Sequence, residues 1–102
     1  MGKKDFSNNL ELLKREEKSL LGFLKAKYPM FHNSNFFYRD LQYGLRSFLE
    51  KKDIIINYKN ADELARSISK YFEEKGIFLK VNDLTWKVNY PQFTTAEPGD
   101  PF

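Results

Sequence analysis

Residues 60–90 read NADELARSISKYFEEKGIFLKVNDLTWKVNY, and this stretch decides the fold. Asn60-Ala61-Asp62-Glu63 has the form of a capping box, with Asn60 as N-cap and Glu63 reaching back from the third helical position. Ala61, Leu64, Ala65, Ile68, Tyr71 and Phe72 recur at three- and four-residue spacing, which places them on one face of a helix. Lys75 sits favourably in the last turn, and Gly76 stands where a left-handed residue ends a helix. From Ile77 the period changes to two. Ile77, Leu79 and Val81 alternate with Phe78 and Lys80; Leu84, Trp86, Val88 and Tyr90 alternate with Thr85, Lys87 and Asn89. A hairpin turning at Asn82-Asp83 sets Val81 opposite Leu84, Leu79 opposite Trp86 and Ile77 opposite Val88, so one face is wholly apolar. An isolated hairpin is marginal, so that face is expected to pack on helices. On this register Phe78 points outward.

Working back toward the N-terminus, Asn8-Asn9-Leu10-Glu11 offers a further cap, and a helix is expected over residues 8–28, ended by Pro29. Its stripe is Leu10, Leu13, Leu20, Leu24 and Tyr28, widened by Leu21 and Phe23. Lys14-Arg15-Glu16-Glu17-Lys18 is charged all round, so the first turns are expected to project beyond the core or to pair with another chain. Residues 29–35 form a loop anchored by Met30 and Phe31. A second helix follows through Lys51, capped by Ser34 or Asn35, with Phe37, Leu41, Leu45, Phe48 and Leu49 on its buried side. Gly44 within that helix marks a close approach of another backbone. Ile54-Ile55-Ile56 is either a short third strand over residues 54–58 beside the hairpin or an extended connector that plugs the core. After Tyr90 periodicity ends and three of the four prolines follow, so residues 91–102 read as an extended or disordered tail and residues 1–7 as a flexible start. The fold class is α+β: a three-helix bundle with a C-terminal β-hairpin, in one domain over residues 8–90.

Composition narrows the function. The chain of 102 residues has no cysteine, which excludes disulfides and thiolate metal sites. A single histidine, His32, excludes a histidine-rich metal site, and no seryl partner and buried acid are spaced to make it a catalytic base. The five glycines are scattered, so no phosphate-cradling loop exists. No metal or cofactor is expected, and an enzyme is not. No apolar run is long enough to span a membrane, and the N-terminal residues lack a signal-peptide core or the hydroxyl residue of a myristoylation motif, so a cytoplasmic location is expected. The net charge of +3 lies wholly in residues 1–30, which carry seven basic and four acidic side chains against ten of each beyond.

The order helix, loop, helix, extended run, helix, two-stranded wing resembles that of winged-helix folds. Within that class the chain resembles the DEP domain over residues 20–90. Asp40-Leu41-Gln42-Tyr43-Gly44-Leu45 is similar to that family's second-helix pattern. Ala61-Asp62-Glu63-Leu64-Ala65, Glu74-Lys75-Gly76-Ile77 and Val81-Asn82-Asp83-Leu84-Thr85-Trp86 are similar to its third helix and hairpin. The resemblance implies a docking role at membranes or signalling partners and assigns no binding residue.

Two function classes follow. The first is a non-catalytic protein-interaction module or small accessory subunit, docking on another protein through aromatic residues off the core pattern (Phe36, Tyr43, Phe78, Phe93 and Phe102) and through a basic surface of Lys14, Arg15, Lys18, Lys25, Lys27, Lys80 and Lys87. The second is a winged-helix DNA- or RNA-binding protein. There the helix before the wing would enter the groove, but Arg66, Lys70 and Lys75 are outweighed by Asp62, Glu63, Glu73 and Glu74. No span or lipidation motif indicates a membrane partner.

Overall fold

The computed structural model describes residues 3–93. Its elements are α1 (Lys3–Arg15), α2 (Glu17–Lys27), β1 (Asn35–Phe37), α3 (Tyr38–Glu50), α4 (Tyr58–Glu74), β2 (Phe78–Asn82) and β3 (Thr85–Val88). The fold is α+β, with α3 and α4 packed against a three-stranded antiparallel sheet of order β1-β3-β2 and α1 and α2 packed on those helices.

The expected single first helix is two helices, broken at Glu16, whose φ of −103° and ψ of 33° leave the helical region. The break falls inside the charged run and lets each half serve a different partner. α1 starts earlier than expected, at Lys3, and does not project: it lies along α4, with Leu13 fully buried and Phe6 and Leu10 packed against the core. α2 turns onto α3, where the close neighbours of Gly44 are side chains and not a backbone: a Cβ there would run into Leu24 and come within 3.3 Å of Tyr28. Across the break, Glu17 accepts bonds from Lys75 Nζ (2.6 and 2.7 Å) and the Tyr71 hydroxyl (2.7 Å), which ties α2 to α4.

α4 also begins earlier than its sequence indicates. Asn57 is the cap, and its side chain accepts from the Asn60 N–H at 2.8 Å, so Asn60 lies in the first turn. The other end is as read. Gly76 has φ of +75°, the Ile77 N–H bonds the Phe72 carbonyl and the Gly76 N–H bonds the Glu73 carbonyl, a Schellman closure.

The hairpin corrects the expected register. Phe78 pairs with Val88, Lys80 with Trp86 and Asn82 with Thr85, with Val81 left over in a bulge. The turn is Asp83-Leu84, one residue later than expected, because the Asn82 side chain accepts the Leu84 N–H at 2.9 Å and so initiates the turn instead of sitting inside it. Phe78 therefore faces inward with Trp86 and Val88, while Leu79, Val81 and Leu84 are exposed. The third strand is β1, not residues 54–58: Phe36 pairs with Trp86 and is buried. Residues 54–57 are the extended connector, plugged by Ile56, and Tyr58 already belongs to α4. α3 starts at Tyr38 without a side-chain cap; Ser34 instead closes the preceding loop on Phe31 at 2.7 and 2.8 Å.

Phe78→Ala empties the centre of the core and is expected to cost about 3–5 kcal/mol in urea unfolding, whereas Leu79→Ala should stay within about 1 kcal/mol; the reverse order would restore the other register. Partial burial pushes the Glu17 carboxyl up, but hydrogen bonds from Lys75 and Tyr71 and the charges of Lys75 and Lys18 outweigh it and hold it below its ordinary range. Its contribution is thus fully present above the usual glutamate range and lost as pH falls through the lowered folded value. Glu17→Gln is expected to flatten the acid limb of stability against pH, measured by urea midpoints between about pH 3 and 7.

Candidate docking surface

α3 buries Leu41, Gly44, Leu45, Phe48 and Leu49 against its neighbours, which turns Arg39, Gln42, Tyr43 and Arg46 outward at the i, i+3, i+4, i+7 spacing of one stripe. Two further sets of exposed apolar side chains extend the stripe. At one end, Phe37 (50 % exposed) and Leu84 (60 %) meet where the Tyr38 N–H bonds the Leu84 carbonyl at 2.9 Å. They wall a cleft of about 630 Å³ with Tyr38, Arg39, Gln42 and Thr85. At the other end, Tyr58 (58 % exposed) stands edge-on to Tyr43, with ring centroids 6.2 Å apart. The Arg46 guanidinium lies 4.0 Å from the Tyr58 ring centroid, and its Nε donates to the Ile56 carbonyl at 3.3 Å. Gln42 joins the two ends: it lines the cleft and its Nε2 donates to the Tyr58 carbonyl at 3.3 Å. The result is one band from hairpin tip to the start of α4, mixing aromatic and aliphatic faces with two guanidinium groups.

The residues picked from sequence fare unevenly. Tyr43 lies in the band. Phe36 and Phe78 do not reach the surface; they are core, a correction that follows from β1 pairing and the hairpin register. Phe93 is half-buried against Tyr90 at 4.7 Å, on a segment strapped down by His32. His32 donates its N–H to the Phe93 carbonyl and accepts the Tyr90 N–H on Nδ1 at 3.0 Å, so both of its bonds here are structural. Phe102 lies outside the described residues.

The basic set is dispersed. Lys14 sits over Tyr71, Lys25 over Phe31 and Phe93, and Lys27 over Phe23, while Lys80 pairs with Asp83 at 3.3 Å. Arg15, Lys18 and Lys87 are exposed at separate places on the kink and the outer sheet face. Sequence reasoning missed Phe37, Leu84 and Tyr58, because the first two were assigned to buried faces and the third to a short strand or a connector. The Arg39–Gln42–Tyr43–Arg46 spacing was the available signal.

Among the described residues no three His, Cys, Asp or Glu side chains are grouped so as to hold a metal ion, and no helix is long and apolar enough to cross a membrane. A scan against protein-family models found no match, and searches of curated proteins and of solved structures returned no similar chain.

Tyr43→Ala and Arg39→Ala leave no cavity and break no buried bond. Each is expected to shift unfolding free energy by no more than about 0.5 kcal/mol in urea titration, which makes them clean probes of binding.

Proposed function

We propose that this chain is a non-catalytic protein-interaction module, a small accessory subunit of winged-helix type working in the cytoplasm, which docks another protein through the band on α3. The observation that carries the reading is the grouping of Phe37, Tyr43, Tyr58 and Leu84, all more than 40 % exposed, with Arg39 and Arg46 on one side of the molecule. Scattered exposed apolar residues are ordinary, but a contiguous set rimmed by polar groups marks an interaction site. Tyrosine and arginine are also the residues that most often dominate binding energy at interfaces. The strand β1 ahead of α3 and the sheet order β1-β3-β2 support the winged-helix reading, since they join the hairpin to the helical core as a wing.

The nucleic-acid reading has less behind it. A winged helix that reads duplex DNA presents the helix before the wing. Here that helix is α4, whose exposed residues Lys59, Glu63, Arg66, Lys70 and Glu74 mix signs, and Arg66 is held by Asp62 at 3.2 Å. Phosphate binding rests on excess positive charge, and with Asp62 counted the basic and acidic groups of this surface balance.

A photo-crosslinking phenylalanine analogue in place of Tyr43, expressed in the native cell, is expected to give a discrete protein adduct that the same group in place of the exposed Glu11 on α1 does not. Equal labelling at both positions, no adduct at Tyr43, or an adduct to nucleic acid would overturn the reading.

A further inference from the structure

The band has a charge pattern that restricts its partner. Arg39 and Arg46 are two turns apart on one face of α3, about 10.5 Å along the axis. Neither takes part in any ion pair among the described residues, in contrast to Arg66 with Asp62. Between them lie Gln42 and Tyr43, and beside them Phe37, Leu84 and Tyr58. Glu50, a further turn on, confines the cationic stretch to the Arg39–Arg46 span.

Resting on the docking reading above, we infer that the partner segment is an acidic amphipathic helix: two carboxylates seven residues apart, with apolar residues three and four positions after the first. Such a helix laid along α3 sets its carboxylates about 10.5 Å apart on one face, matching the two guanidinium groups, and its apolar residues between them over Tyr43 and Gln42, at the edge of the Phe37–Leu84 cleft. An extended segment fits worse. It covers that distance in about three residues, and residues three apart in a strand point to opposite sides. The aliphatic Leu84 and the cleft behind it suit a leucine or phenylalanine anchor better than a nucleobase, which would need an open aromatic face on which to stack.

The probe is a designed 16-residue helical peptide with Glu at two positions seven apart and Leu at the third and fourth positions after the first Glu. Its analogues carry Gln or Lys in place of both Glu residues. Binding to the full chain is read by fluorescence anisotropy, alongside an oligothymidylate of about 20 nucleotides. The Glu peptide is expected to bind in the range of about 10–100 μM, as suits a small interface. The Gln peptide should bind about tenfold more weakly, and the Glu peptide should lose at least about tenfold against the Arg39→Glu/Arg46→Glu double variant. The Lys peptide should recover most of that loss on the double variant, a rescue that misfolding could not produce. Equal affinity of the Glu and Lys peptides for the unaltered chain, tighter binding of the oligonucleotide, or no binding of any peptide at about 1 mM would overturn the inference. Crosslinking at Tyr43 to a protein would in that case still support a docking module, with a partner of different chemistry.

Discussion

The structure depends on the burial of one phenylalanine. Phe78 stands with its ring 5.1 Å from Phe72 on α4, 5.2 Å from Trp86 on β3 and 5.8 Å from Phe36 on β1, so one side chain joins the last helix to all three strands. Its position is set from behind. The closure at Gly76 turns the chain sharply and bonds Ile77 back to Phe72, so the next residue is the first that can lie in the sheet, and it enters facing α4. Trp86 is then fixed from the same helix, where its Nε1 donates to Glu73 at 3.0 Å. With Phe78 inward, Leu79 must point outward, and the shifted turn carries Leu84 to the surface beside Phe37. The constraint that builds the core thereby also builds one end of the candidate docking band.

The helices obey a second constraint, which is closeness. Gly44 lets Leu24 and Tyr28 of the α2 region seat against α3, and the break at Glu16 frees α1 to follow α4 instead of continuing past the core. Both devices leave α3 covered on one side only. Tyr28 is half-buried there, and that partial burial, with the nearby charge of Asp40 and the Tyr43 phenol, pushes its own phenol above the usual range.

Much of this architecture could be read from residue order. The face of α4, its Gly76 terminus, the inward set Trp86 and Val88, and the tight spot at Gly44 all follow from spacing and residue type. The register of β2 did not, because both of its parities look plausible. Three aliphatic residues on one side compete with a single phenylalanine and a lysine on the other, and a count prefers the three. The larger ring wins because it fills a site already walled by Phe36 and Phe72. The Phe36 wall is not visible until β1 is known to pair with β3. The same non-local pairing concealed the third strand: Asn35–Phe37 is only three residues long, and its identity as a strand depends on Trp86 some fifty positions away. The candidate surface inherited the error, since residues assigned to the wrong side of a hairpin exchange core for surface together.

That the band is preformed bears on how it would work. Arg46 is held in place by the Ile56 carbonyl and the Tyr58 ring, Gln42 by the Tyr58 carbonyl, and Tyr43 leans edge-on against Tyr58. Association costs free energy for every side chain it must immobilise, and arginine and glutamine are among the more mobile. Here much of that ordering is already accomplished by contacts within the protein, while tyrosine brings a large amphipathic face with few rotatable bonds. Among the described residues nothing restrains Arg39 in this way, which suits it to the carboxylate proposed above at the rim, leaving Arg46 and the paired tyrosines as the rigid part of the surface.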